Sequence, residues 1–344
     1  MKLFSTKKDF MISEQGISQI EKVMIGGIQQ YLLIQSENVS NPVLLILHGG
    51  PGLPIPGVSS RSSDFVLATT TKELVKHYTL IFWDQRGSGK TFDKQISMES
   101  LNIDQFISDT HEVVQFLKNK FNEQKIYLAG YSWGTILGLR LVHENPSDFH
   151  AYIGISQIVN WTQNDVLCLE WTLNKARSNK NDKAIRELEQ CGHPPYTESP
   201  DQWVTLRKWM AKYKTMIYTD GHVKHPGMKL AISLLLRSPD YSIQDTINTM
   251  AGFQKIYTQR MIEDFAEINF NETIKKVEVP VYFLHGRKDV HVYGELVDEF
   301  YEALEAPAGK HFFWLEKSSH IYHPDDAREI ESILIDIKEL LDNK

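Results

Sequence analysis

The chain has 344 residues, 42% of them hydrophobic and 24% charged, an ordinary balance that excludes disordered, collagen-like and coiled-coil readings. Its 37 basic and 44 acidic side chains leave a net charge of −7, which argues against nucleic acid as a partner, because phosphate binding needs a concentrated positive surface. The length allows two domains or one enlarged domain.

Cys168 and Cys191 form no CxxC pair and no zinc pattern, so they are read as ordinary thiols of a reducing compartment. The amino terminus carries early lysines but no apolar core of a leader, and no stretch approaches the length of a membrane span. The expectation is a cytoplasmic protein with no membrane partner.

Residues 17–36 alternate like two strands, and Gly26-Gly27 between them reads as a hairpin turn. Val43 to Leu47 is a continuous apolar run, the mark of a strand buried on both faces. It stops at His48-Gly49-Gly50-Pro51-Gly52. Tyr78 to Trp83 is a second such strand, followed by Asp84-Gln85-Arg86-Gly87-Ser88-Gly89. Helical spacing over 103–120 follows Asn102 as N-cap. Ile126–Ala129 and Tyr152–Ile155 read as strands, with a buried helix over 136–142 between them. From about 157 to 274 the texture changes to charges, aromatics and helical spacing. Strands return at 281–285 and 311–315, with helices at 294–304 and 327–341. The pattern predicts a mostly parallel sheet covered by helices on both faces. Residues 1–156 and 275–344 would form this core, and 157–274 a helical insertion.

Gly130-Tyr131-Ser132-Trp133-Gly134 fits G-x-S-x-G, and it follows a strand and opens a helix as a nucleophile elbow must. The glycines are needed because strand and helix backbones nearly collide at such a turn. A serine hydroxyl is a poor nucleophile without a histidine base and an acid to orient it. Asp289 follows the 281–285 strand and His320 follows the 311–315 strand, so both would reach the crevice above the sheet. His323 is the rival base; His291 lies too near Asp289 in its own loop, and Asp298 reads as a solvated helix face. An oxyanion needs backbone donors. Trp133, after the nucleophile, is one candidate. Gly49 and Gly50 are others, Gly50 being preferred by position, whereas Pro51 has no N–H.

In this order the motifs HGGPG, DQRGSGKT, GYSWGT, HGRKD and SSH resemble the α/β-hydrolase fold family, and more narrowly the proline iminopeptidase group of S33-type serine peptidases. The resemblance covers 17–156 and 275–322. It implies a triad of Ser132, Asp289 and His320, an oxyanion hole of Gly50 and Trp133, and a helical cap. It implies no metal and no cofactor, with a short peptide or other small molecule as substrate. Asp84 and Arg86 match the family's turn, where a salt-bridged loop is expected. The family's elbow carries glycine before the serine; this chain has Tyr131. Aminopeptidases of the group hold the substrate's amino terminus with acidic cap residues, but Glu170, Glu187, Glu189, Glu198, Glu263 and Glu267 read mostly as solvated faces. The cap tryptophans and tyrosines read mostly as packing between helices. The expected activity is release of an N-terminal residue, proline by resemblance, through an acyl-enzyme. An esterase, lactonase or amidase, and a non-catalytic ligand-binding protein, are the alternatives. Dehalogenase and epoxide hydrolase chemistry is disfavoured, since those relatives use Asp where this chain has Ser132.

Overall fold

The computed structural model describes residues 8–219 and 228–342. The start of the segment read for a leader, and 220–227 within the insertion, lie outside the described residues.

The strands are β1 (Ile17–Ile25), β2 (Ile28–Ser36), β3 (Val43–Leu47), β4 (Thr79–Asp84), β5 (Ile126–Tyr131), β6 (Phe149–Ile155), β7 (Val281–Gly286) and β8 (Lys310–Leu315). The helices are α1 (Leu74–His77), α2 (Ile103–Phe121), α3 (Trp133–Glu144), α4 (Trp161–Ser178), α5 (Asp182–Gln190), α6 (Pro200–Lys212), α7 (Met228–Arg237), α8 (Ile243–Ile256), α9 (Gln259–Ala266), α10 (Phe270–Thr273), α11 (Gly294–Ala303) and α12 (Pro324–Asp342).

One sheet runs in the order β1-β2-β4-β3-β5-β6-β7-β8. The pairs β1–β2 and β2–β4 are antiparallel; all the others are parallel. Gly26 and Gly27 turn the β1–β2 hairpin with φ of +54° and +75°, values that favour glycine in a tight two-residue turn.

The continuous apolar strands divide their side chains between two cores, because successive residues point to opposite faces. Leu45, Leu47, Ile81, Trp83 and Leu128 join Phe106, Val113, Ile136, Val297 and Phe300 on the side of α2, α3 and α11. Leu44, Ile46, Leu80, Phe82 and Tyr127 join Leu74, Ile330, Leu334 and Ile337 on the side of α1 and α12. The helix expected over 136–142 begins at Trp133, since Ser132 is its N-cap. The strand expected from Tyr152 begins at Phe149.

Helices α4 to α10 lie between β6 and β7. Their starts are set locally. Asn160, Asn181, Ser199, Ser242 and Thr258 each accept a backbone N–H of the following turn. The insertion leaves and returns through a paired stem. Asn160 bridges Asn269 antiparallel, Trp161 N–H donates to Ile268 O, and Phe270 N–H donates to Val159 O, at 3.1 and 2.8 Å. Trp161, Trp203 and Trp209 are buried among these helices, as packing aromatics. Cys168 and Cys191 are free and buried. Among the described residues no helix is long and apolar enough to cross a membrane.

Candidate active site

Ser132 stands between the end of β5 and the start of α3 with φ +52° and ψ −119°, a conformation few non-glycine residues adopt. Its N–H donates to Ile155 O at 2.9 Å, and its carbonyl accepts the Thr135 hydroxyl at 2.6 Å. A Cβ on Gly130 would lie 2.6 Å from Gly134 O, and one on Gly134 would run into the Leu47 carbonyl. The turn thus closes only with both glycines.

The strands β3, β5, β6, β7 and β8 run parallel, so the loops after them gather at one edge of the sheet. That edge brings Ser132, Asp289 and His320 together. His320 Nε2 lies 3.0 Å from Ser132 Oγ, and His320 Nδ1 lies 2.8 Å from Asp289 Oδ2. Asp289 Oδ1 accepts the N–H groups of His291 and Val292 at 2.8 and 3.0 Å. Burial pushes the Asp289 carboxyl upward, but the charge and hydrogen bond of His320, with His285 and His291, outweigh it and hold the pKa below 3.8. All three side chains are buried.

His323 is directed elsewhere. Its N–H donates to Ser318 Oγ at 2.9 Å, its Nδ1 accepts Asp325 N–H at 3.1 Å, and its ring packs on Tyr218. His291 packs on the His320 ring with centroids 4.7 Å apart, and burial drives its pKa well below 6.5. Asp298 is exposed on α11.

The loop after β3 passes directly against the serine. A Cβ on Gly49 would lie 3.3 Å from Ser132 Cβ. Gly50 has φ +121°, and a Cβ there would lie 2.7 Å from Gly52 N, so the loop requires glycine at this point. Trp133 is the first residue of α3, where an N–H has no intrahelical acceptor. Sequence reasoning passed over His48. Its Nδ1 lies 2.7 Å from Gly49 O, so Nδ1 carries the proton and Nε2 accepts Gln85 N–H at 3.4 Å. Burial pushes its pKa down to about 4. A neutral His48 therefore ties the glycine loop to the turn after β4.

That turn anchors two further elements. Arg86 makes a buried two-pronged pair with Asp109, at 2.8 and 2.9 Å, and also donates to Gly26 O at 2.8 Å. Asp84 is not part of that pair. Its carboxylate accepts Val58 N–H, Lys90 N–H and the Tyr241 hydroxyl at 2.8, 2.9 and 2.5 Å. Arg61 and Lys90 reach Asp240 and Asp245 beside Tyr241, at 2.6 and 3.1 Å. Gly252 of α8 sits so close to the Gly87 carbonyl that a Cβ would collide with it. The segment 240–252 is thus fastened over the glycine-rich loops.

Trp133 donates its indole N–H to Gln85 Oε1 at 3.0 Å and meets Phe265 edge-on at 5.8 Å. Phe265 stacks on Trp161 at 3.9 Å, and Trp203 stacks on Tyr257 at 4.5 Å. Glu170, Glu189, Glu198, Glu263 and Glu267 are exposed, and Glu187 is half-buried, where it accepts from Trp209 Nε1 at 2.8 Å. The one buried acid among the described residues of the insertion is Asp165. It pairs with Arg207, whose guanidinium lies 5.0 Å from the Trp203 ring centroid. Burial raises the Asp165 pKa against the pull of Arg207. Its sequence signal was its place on the helix face of Trp161, Cys168 and Thr172. No cluster of three or more His, Cys, Asp or Glu among the described residues is arranged to hold a metal ion.

A buried Ser–His–Asp relay at the carboxyl edge of a largely parallel sheet defines a hydrolase of the α/β-hydrolase fold. A model of the serine aminopeptidase S33 family matches residues 62–326, and the chain belongs to that family. It is 30% identical over 318 residues to the protein named probable aminopeptidase YbaC of Bacillus subtilis, covering 92% of this chain and 95% of that one. It is 23% identical over 305 residues to a proline iminopeptidase of Heyndrickxia coagulans, covering 87% and 91%. The solved structure of a proline iminopeptidase-related protein from Thermus thermophilus superposes with a TM-score of 0.62 at 16% identity, covering 94% of this chain and 98% of the other; that likeness concerns the fold.

Proposed function

We propose that this hydrolase works through an acyl-enzyme on Ser132 and releases an N-terminal residue, of proline type, from short peptides. The observation that carries the chemistry is the relay from Ser132 Oγ to His320 Nε2 at 3.0 Å and from His320 Nδ1 to Asp289 at 2.8 Å. As Ser132 Oγ bonds the scissile carbonyl carbon, its proton passes to His320 Nε2. Asp289 holds the imidazolium that forms. The N–H groups of Trp133 and Gly50 receive the oxyanion. The imidazolium then protonates the leaving amine, and water, deprotonated by His320, frees the acyl group. Residues 157–274 act as the cap that selects the substrate.

The peptide reading is supported by the family and by the names of the relatives. A second reading is favoured by one observation: the one buried acid among the described residues of the insertion, Asp165, is already paired with Arg207. A cap whose described residues hold no uncommitted buried carboxylate suits a neutral acyl substrate, hence an esterase, lactonase or amidase. Anilides of proline and alanine, free and acetylated at nitrogen, assayed beside short p-nitrophenyl esters, separate the two. Cleavage of the acetylated forms as fast as the free ones overturns the aminopeptidase reading. A fluorophosphonate adduct on Ser132, absent in Ser132→Ala, is expected; a folded protein that forms none overturns the serine mechanism.

A further inference from the structure

Tyr131, the last residue of β5, touches the candidate base, the nucleophile and the glycine loop at once. Its side chain is buried. Its hydroxyl donates to the backbone carbonyl of His320 at 2.8 Å. Its ring stacks on the His320 imidazole, with centroids 5.4 Å apart and planes inclined by 28°. Its Cδ1 lies 3.3 Å from where a Cβ on Gly49 would stand. Its ring meets the Tyr322 ring edge to face, with centroids 6.5 Å apart. Through the peptide bond it is also tied to Ser132, whose backbone is held in its unusual conformation.

His320 needs such support. It lies in the loop between β8 and α12, outside any strand or helix. The residues after it are held through their own N–H groups, Ile321 to Met216 O at 3.0 Å and Tyr322 to Leu67 O at 2.9 Å. The carbonyl of His320 itself is held by Tyr131. Glycine, which the resembled elbow motif carries at this position, has no side chain to make any of these contacts.

We propose that Tyr131 is a positioning residue for His320, fixing the imidazole on Ser132 through its hydroxyl and ring while seating Gly49 of the oxyanion loop. The proposal rests on the reading of Ser132 and His320 as nucleophile and base. Burial raises the Tyr131 pKa well above 10, so the hydroxyl keeps its proton and remains a donor. The effect belongs to turnover, since none of the three contacts involves a substrate. Small displacements of a catalytic group cost large factors in rate: a misplacement of about 1 Å can cost about 100-fold.

The test compares Tyr131→Phe and Tyr131→Leu with the parent on a p-nitrophenyl ester, alone and on a His320→Ala background. Labelling of Ser132 by a fluorophosphonate is followed in the same samples. Tyr131→Phe keeps the ring and loses one hydrogen bond; the expectation is a kcat lower by about tenfold with KM within about twofold. Tyr131→Leu also loses the stack, and its kcat is expected to fall by about 100-fold. On His320→Ala the Tyr131→Phe change is expected to have no further effect, because its partner's function is gone. A Tyr131→Phe enzyme with parental kcat and parental labelling rate overturns the proposal and leaves the serine mechanism standing. So does the same loss repeated on His320→Ala, or a change confined to KM. Absence of any Ser132 adduct in the parent overturns both. Should Tyr131→Leu fail to fold, Tyr131→Phe decides alone.

Discussion

Asp289 turns one carboxylate oxygen to His320 and the other to its own loop: Oδ2 lies 2.8 Å from His320 Nδ1, while Oδ1 is held by His291 and Val292 N–H. The acid is therefore fixed in place before it can orient the base. Asp289→Asn keeps the shape but can present an amide N–H to Nδ1, which favours the wrong imidazole tautomer. The expected result is a folded protein with kcat lower by about 10⁴, the loss that follows when the acid of a serine triad becomes an amide. Steady-state kinetics with a circular dichroism control measures it; an unchanged kcat means another group orients His320.

The Asp84–Tyr241 contact makes the attachment of the insertion sensitive to pH. Burial pushes the Asp84 carboxyl up from 3.8 to about 6, against the hydrogen bonds of Tyr241, Lys90 and Val58. Between those values the folded chain holds a proton that the unfolded chain has released. The contribution of Asp84 to stability is thus fully present below 3.8 and is lost as pH rises through about 6. Tyr241→Phe removes a donor that serves the charged form. Its cost is expected to be about 1.5–3 kcal/mol at about pH 8 and less than half that at about pH 5. Urea unfolding at the two pH values measures the difference; equal costs would refute it.

Gly252 is where α8 lies against the Gly87 carbonyl. An added Cβ would collide with the Gly87 carbonyl and lie 3.1 Å from Phe92 Cδ2. Gly252→Ala is expected to lower stability by about 1–3 kcal/mol, as overpacking does, and to raise KM by displacing α8 from the glycine loop. Thermal unfolding and KM on one ester substrate read the two effects. A parental Tm would mean that the helix yields without cost.

Arg86 and Asp109 are both buried, with side chains 2% and 0% exposed. Arg86→Leu strands the Asp109 carboxylate, and the expected loss is about 3–5 kcal/mol. Replacing both, as Arg86→Met with Asp109→Leu, is expected to recover part of that loss, because no lone charge remains buried. Denaturant midpoints of the single and double variants test this; a double variant less stable than Arg86→Leu contradicts it.

The order of Ser132, Asp289 and His320 was legible because each follows an apolar run, and parallel strands deliver their following loops to one edge. The doubly buried sheet was legible for the same reason: Val43–Leu47 has no polar residue to face water. Nearness to the strand end favoured His320 over His323, but spacing does not show what enforces the choice. It is made by contacts distant in sequence, with Tyr131 holding the His320 carbonyl and Ser318 holding the His323 N–H. Asp165 was hidden because a lone acid on a helix reads as solvated until the helix across from it, with Arg207, is known. Asp84 was expected in a salt-bridged loop beside Arg86. It instead accepts from Tyr241, 157 positions away in the chain, a pairing that no local pattern announces.

The two ends of the insertion are closed on each other by a single antiparallel rung between Asn160 and Asn269. The chain therefore departs and re-enters within roughly 5 Å, the spacing of such a pair. β6 and β7, on either side of this excursion, are already neighbours, with Ile155 opposite Leu284. The strands pair without the insertion, whereas the loops that follow them lean on it: Ile321 N–H donates to Met216 O at 3.0 Å, and Asn164 Nδ2 donates to His291 O at 3.1 Å. A helical segment of another length or composition, spliced at the same rung, would leave the β6–β7 pairing in place but would have to supply the contacts that now hold the loops of Asp289 and His320.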